Sequence, residues 1–208
     1  MKAFIYTGGT IHAQNITEHP RGDDLIIAAD RGALNASALG VTPDIILGDL
    51  DSLDKKDIPK DAELMQVPAE KDFTDTQLAV DTAVKKGASE IIIIGGLDGR
   101  LDHTLSNLAI LEDLYGKRIH AHITNGQNRV RYIDSTSTLI PRSGYKYLSL
   151  LCLSEKVKGV SIEGCKYPLK NVTLKRSFQY TVSNEITGNC ALISVRKGGI
   201  YIIESMDK

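Results

Sequence analysis

Gly48-Asp49-Leu50-Asp51-Ser52 places two carboxylates two residues apart, directly after the apolar run Asp44-Ile45-Ile46-Leu47. In extended chain both acids face one way with Cα atoms ~6.5–7 Å apart. Paired hard oxygen ligands at a strand end suit Mg²⁺ carrying substrate phosphates. A solvated turn, with Asp51 or Ser52 capping a following helix, is the competing reading. More acid comes from Lys71-Asp72-Phe73-Thr74-Asp75. Asp72 at an N-cap with Asp75 three residues on resembles a capping box, yet the same first turn should lie on the sheet edge that carries Asp49 and Asp51. A third cluster, Gly95-Gly96-Leu97-Asp98-Gly99-Arg100-Leu101-Asp102-His103, follows a run of isoleucines. Its glycines allow close backbone approach to phosphate, Arg100 offers a bidentate fork, and a helix starting near Asp102 presents free amides. The G-x-x-x-x-G-K-[ST] order is missing, so this is no Walker loop, and a structural turn with a surface arginine is the plain alternative. Ala29-Asp30-Arg31-Gly32 adds a further acid at another strand end. His120 and His122 share a strand face and read as ordinary edge or surface histidines.

Parallel strands joined by helices would bring these segments to one rim. Up to about residue 134, β-branched runs at 3–6, 25–29, 44–47, 63–67, 90–94 and 119–124 alternate with helical patterns, the signature of βαβ units around a parallel sheet. The helical patterns at 72–86 and 102–115 end close to Gly87 and Gly116, which suit helix C-termini. Beyond 134, strand-like runs at 145–153, 159–163, 171–175, 189–195 and 200–202 are broken by Gly, Pro and Asn with no helical period, which predicts an antiparallel sandwich or barrel-like module. The expected class is therefore α/β: an N-terminal parallel-sheet domain over 1–134 and a C-terminal antiparallel β-sandwich over 135–208.

The chain's 208 residues, 42% hydrophobic and 25% charged, suit a globular protein with a substantial core. A net charge of -1 without a Lys/Arg block gives no long-range attraction for nucleic acid, so an anionic ligand must be held by local geometry and metal. No stretch approaches the ~20 apolar residues of a membrane span, and the N-terminal run meets Gly8-Gly9 before it could form a signal-peptide core. Cys152, Cys165 and Cys190 lack C-x-x-C pairing, so a cytoplasmic protein with reduced thiols and no zinc site is expected.

In order and spacing the motifs resemble the thiamine pyrophosphokinase family: A-D-x-G at 29–32, G-D-x-D-S at 48–52, K-D-x-T-D at 71–75 and G-G-x-x-G-R-x-D-H at 95–103. The resemblance continues through Gly164-Cys165-Lys166-Tyr167-Pro168-Leu169 and Val182-Ser183-Asn184-Glu185, and so covers nearly the whole chain. It implies ATP and thiamine as substrates, Mg²⁺ as cofactor, and a homodimer with shared active sites. Metal ligation falls to Asp49, Asp51 and Asp75, with Asp102 beside them in the catalytic set. Contacts to ATP or its phosphates fall to Asp30, Lys71, Asp72, Thr74, Arg100, His103 and Asn128. Thiamine falls to Tyr167, Ser183 and Asn184, with Tyr167 and Ser183 reaching the site from the partner's sandwich. Asn125-Gly126-Gln127-Asn128 departs from an acidic segment common in the family. The chemistry expected is attack of a primary alcohol on the β-phosphorus of ATP with loss of AMP, needing charge neutralisation and positioning rather than a covalent nucleophile. Whether Asp75 or Asp102 acts as base or ligand stays open. The rival readings are an aspartyl phosphatase with Asp49 as nucleophile, a D-x-D sugar-nucleotide transferase, and a nucleotide-binding module without turnover.

Overall fold

The isoleucine run at 91–94 is 0 to 2% exposed, buried on both faces as a central strand of a parallel sheet must be. The computed structural model describes residues 1–48, 59, 62–67 and 72–207, and Asp49, Asp51 and Lys71 lie outside them. Two compact units form, Met1–Gly126 and Gln127–Lys208. Among the described residues no helix is long and apolar enough to cross a membrane.

In the first unit, β1 (Lys2–Tyr6), β2 (Leu25–Ala29), β3 (Ile45–Gly48), β4 (Glu63–Gln66), β5 (Glu90–Ile94) and β6 (His120–Thr124) run parallel in the order β4-β3-β2-β1-β5-β6. Period-two alternation sends Phe4 and Tyr6 of β1 to one face, where they pack with Ala28, Ile46, Ile92 and Ile94 beneath Ala33 and Ala36 of α1 (Gly32–Ala38). On the sheet also pack α2 (Asp75–Lys85), against β1, β2 and β3, and α3 (Leu101–Gly116), against β6. Successive strands step outward from β1 to β4, and β5 then returns to the other side of β1. That reversal makes a topological switch point at β1 and β5, and the loops leaving their C-terminal ends part there to open a crevice.

Helix ends differ in detail from the sequence reading. Thr74, not Asp72, caps α2, its hydroxyl accepting from Gln77 N–H at 3.1 Å. Gly87 follows in the left-handed region, as expected for a helix stop. After α3 the left-handed residue is Arg118 (φ 60°), and Gly116 is the last residue of the helix itself.

The second unit holds two antiparallel sheets. One is β7-β13-β9, from β7 (Asn128–Asp134), β9 (Tyr147–Cys152) and β13 (Gly199–Ser205). The other is β11-β10-β12-β8, from β8 (Ser137–Pro141), β10 (Lys156–Glu163), β11 (Leu169–Lys175) and β12 (Cys190–Ser194). Leu148, Leu150, Ile200 and Ile202 of the first sheet and Val157, Val160, Ile162 and Ile193 of the second are buried to 2% exposure or less, so the α/β class with a C-terminal antiparallel sandwich is borne out. Inside the β7/β13 pair lies an ionic cluster. Glu204, 2% exposed, accepts from Arg131 Nη1 and from Ser143 Oγ at 2.7 Å, and stands 3.7 Å from Arg129 Nη1. Arg129 also donates to Ser143 Oγ at 3.1 Å and stacks over the Tyr145 ring at 4.9 Å.

Candidate functional site

The crevice at the switch point is an open cleft of about 660 Å³. Each wall comes from a strand end or helix start: Thr7, Gly8 and Gly9 after β1, Asp30 and Arg31 after β2, Thr74 to Thr76 opening α2, and Gly96, Asp98, Gly99 and Arg100 after β5, closed by His103 and Asn107 of α3. Asp30 owes its place to a tight β2-to-α1 turn. Its N–H donates to Leu47 O at 2.8 Å, tying the β2 and β3 ends together, and its φ of 49° is uncommon for a residue with a side chain. The turn runs so close to β1 that a Cβ on Gly32 would lie 2.0 Å from Tyr6 O, so only glycine fits there. Asp75 stands in the first turn of α2, at the positive end of the helix, and a Thr7 to Thr76 hydroxyl contact of 3.2 Å fastens that turn to the β1 end.

Arg100 and Asp102 form a bidentate pair, Nε to Oδ1 at 3.1 Å and Nη2 to Oδ2 at 2.6 Å. Arg100's hydrogen bond holds the Asp102 carboxyl below the usual carboxylate range, helped by the His103 N–H. The carboxylate in turn raises the Arg100 guanidinium. Asp98 accepts from Thr10 N–H at 3.0 Å and so bridges the β5 loop to the β1 loop.

Of the residues singled out in the sequence, Asp30, Thr74, Asp75, Arg100 and His103 line this one cleft. Asp102 adjoins it through Arg100, and Asp72 is exposed just ahead of α2. Asn128 begins β7, and Tyr167, Ser183 and Asn184 belong to the second unit. There Tyr167, Asn184, Leu169, Tyr180 and Val182 help line a hollow of about 100 Å³, with Tyr167 60% and Val182 50% exposed. Asn184 is 5% exposed and its amide engages backbone: it accepts from Tyr167 N–H at 3.0 Å and Glu185 N–H at 2.9 Å, and donates to Tyr167 O at 2.8 Å. It fixes the loop that presents the Tyr167 ring. Ser183, like Asp30, holds positive φ (57°), and its N–H donates to Ser149 Oγ at 3.0 Å.

Sequence reasoning missed Thr7, Gly8, Gly9 and Asn107 as lining residues, and gave no role to Arg31 and Asp98 within the motifs that contain them. The Gly8-Gly9 pair at a strand end was the available signal. Carboxylates from Asp30, Asp75 and Asp98 thus face Arg31 and Arg100 across one cleft, a donor set suited to a hard cation and to phosphate oxygens together. Among the described residues no three His, Cys, Asp or Glu side chains converge as a complete metal site.

Comparison with known proteins fits both units. Residues 18–123 match the thiamin pyrophosphokinase catalytic domain and residues 136–200 the thiamin pyrophosphokinase vitamin B1 binding domain. The chain belongs to the thiamine pyrophosphokinase family. It is 30% identical over 198 residues to the thiamine pyrophosphokinase of Bacillus subtilis (strain 168), across 93% of this chain and 92% of that protein. Crystal structures of family members from Bacillus subtilis and Geobacillus thermodenitrificans align with it at TM-scores of 0.89 and 0.85 and identities of 26% and 30%. Both alignments cover all of this chain, with 100% and 99% of the respective relatives. The thiamin pyrophosphokinase of Candida albicans, at TM-score 0.77 and 14% identity over 98% of this chain and 88% of that one, shares the fold.

Proposed function

We propose that this chain is an ATP:thiamine diphosphotransferase, making thiamine diphosphate and AMP. The observation that carries the reading is the cleft at the β1/β5 switch point, where carboxylates on strand ends face arginines and glycine-rich backbone. In the proposed step the hydroxyethyl oxygen of thiamine bonds to the β-phosphorus while the bond from that phosphorus to the α,β-bridging oxygen breaks. AMP departs with the electron pair, and the alcohol proton is lost to water or a cleft carboxylate. Arg100 bears on the phosphate charge, and Asp102, kept ionised beside it, holds the guanidinium fork in place.

The acid-rich donor chemistry of the cleft fits Mg²⁺, for which Asp75 and, outside the described residues, Asp49 and Asp51 are the proposed ligands. When bound, the ion would neutralise charge on the phosphate oxygens. We assign thiamine's rings to Tyr167 and Ser183 of a second copy in a two-fold dimer, a reading supported by the exposed aromatic and apolar rim of the hollow beside Tyr167. ATP as phosphoryl source fits a cytoplasmic enzyme. Incubating the protein with Mg²⁺, ATP and thiamine tests the reading: thiamine diphosphate and AMP should appear in equal amounts. ADP accumulating with thiamine monophosphate would overturn the diphosphate transfer while sparing the nucleotide site.

A further inference from the structure

Two side-chain amides that the proposed chemistry does not use hold the glycine loops of the cleft in shape. Asn35 of α1 donates from Nδ2 to the carbonyl oxygens of Thr7 at 2.7 Å and Gly9 at 3.0 Å. Asn107 of α3, 5% exposed, donates from Nδ2 to the carbonyl of Gly96 at 3.0 Å. Gly96 (φ 68°) passes so near that a Cβ there would lie 2.5 Å from that same nitrogen. Asparagine is a mediocre helix former, and at both positions its side chain turns to a loop carbonyl instead of its own helix.

The consequence follows from peptide planarity. In a trans peptide the C=O of one residue and the N–H of the next point in opposite directions. Holding the Thr7 carbonyl toward α1 turns the Gly8 N–H away from α1, and holding the Gly96 carbonyl toward α3 turns the Leu97 N–H away from α3. Between them the Gly8 carbonyl accepts from Gly96 N–H at 3.1 Å, which orients the Gly9 N–H and ties the two loops together. Among the described residues the N–H groups of Gly8, Gly9 and Leu97 have no acceptor in the protein. Gly8, Gly9 and Gly96 line the cleft. Successive backbone donors released in this way form a concavity that takes anionic oxygen.

We infer that Asn35 and Asn107 are positioning residues, which fix the Thr7–Gly8 and Gly96–Leu97 peptide planes so that backbone N–H groups meet the polyphosphate of the bound nucleotide. This rests on reading the cleft as the ATP site. Neither side chain touches the ligand. Each acts through a carbonyl, so its loss should be felt by phosphate and not by the nucleoside.

The test compares three probes, MgATP, magnesium tripolyphosphate and adenosine, titrated against the full-length protein and two variants, Asn35→Ala and Asn107→Leu. Asn107→Leu keeps the size of the side chain and removes the donor without adding a charge beside the phosphates. Asn35→Ala alters a half-buried position on a short helix and keeps the test alive should the buried variant fold poorly. The expected result is a loss of at least about 10-fold in affinity for ATP and tripolyphosphate, with adenosine within about twofold of the parent and the KM for thiamine unchanged. Equal losses for ATP and adenosine would reduce the asparagines to general scaffolding, and unchanged ATP affinity in a folded variant would remove the idea outright. If instead the parent protein binds no ATP, it is the functional reading that fails, an outcome distinct from either.

Discussion

In the first unit the charged groups stand at strand ends around water, and Arg100 and Asp102 keep 74% and 63% of their side-chain surfaces exposed. In the second, Arg129, Arg131 and Glu204 lie within paired strands, and the side chains of Arg129 and Glu204 keep only 6% and 3%. The same chemical types therefore serve opposite ends. Arg100 and Asp102 at the cleft stay solvated, whereas Arg129 and Glu204 between β7 and β13 are almost wholly buried and lie close to one another. Disturbing the first set should cost reaction rate at little cost to folding, and disturbing the second should do the reverse.

The largest effect is expected from Glu204→Gln. Removing its charge leaves Arg129 buried without its counter-ion, and breaking such a pair costs about 3 to 5 kcal/mol. Denaturant unfolding measures it, and a loss below about 1 kcal/mol would show the cluster to be screened by water after all. Next comes Asp75→Asn, which should cut turnover at least about 100-fold, with Asp49→Asn and Asp51→Asn alike, because each removes a carboxylate proposed to hold Mg²⁺. As a first-turn acid of α2, Asp75 contributes no more than about 1 kcal/mol to the helix, so the variant should stay folded. Near-parental turnover at saturating Mg²⁺ would displace Asp75 from the site.

The same contrast explains what could be read in advance. Strand β2 and the four isoleucines of β5 stood out because they are apolar without interruption, and Asp30 stood out because it follows such a run directly. The β7 strand did not: Arg129 and Arg131 break its apolar pattern, and the Glu204 carboxylate beside them comes from β13 across the ladder. Nor did α1, seven residues with no side-chain cap, whose start is set by the close pass of Gly32 over Tyr6. Asp72 and Asp75 fit a capping box in spacing, but Thr74 takes the cap, a choice between adjacent polar residues that the pattern leaves undecided. Asn35 and Asn107 carry no signal at all in sequence, since their meaning lies in which loop carbonyl each reaches.

A smaller effect is expected at the rim of the hollow in the second unit, where Tyr167 and Val182 are exposed. Tyr167→Ala should weaken thiamine binding by about 1 to 3 kcal/mol and leave ATP binding intact. If a second copy supplies the ring, subunit exchange between an Asp49→Asn protein and a Tyr167→Ala, Ser183→Ala protein restores activity through one undamaged site per heterodimer. Demonstrated exchange without recovery would place both halves of the site in one chain.

The smallest effect belongs to Asp102→Asn. Arg100 holds the Asp102 carboxyl below the usual carboxylate range, so the pair's contribution is present above the ordinary carboxylate pKa and is lost as pH falls through the lowered one. Both side chains are largely exposed, and water and salt screen such a pair. Melting curves of parent and variant should therefore lie close together from about pH 8 to about pH 5, where the pair is ionised but screened, and should merge in stronger acid as the parent loses the pair. The change should appear in the KM for ATP, raised by about 2- to 10-fold, because Arg100 loses the two hydrogen bonds that hold its fork. A lowered melting temperature at neutral pH with an unchanged KM would mean that this pair serves the fold as Glu204 does, and the division of labour between the two units would not hold at the cleft.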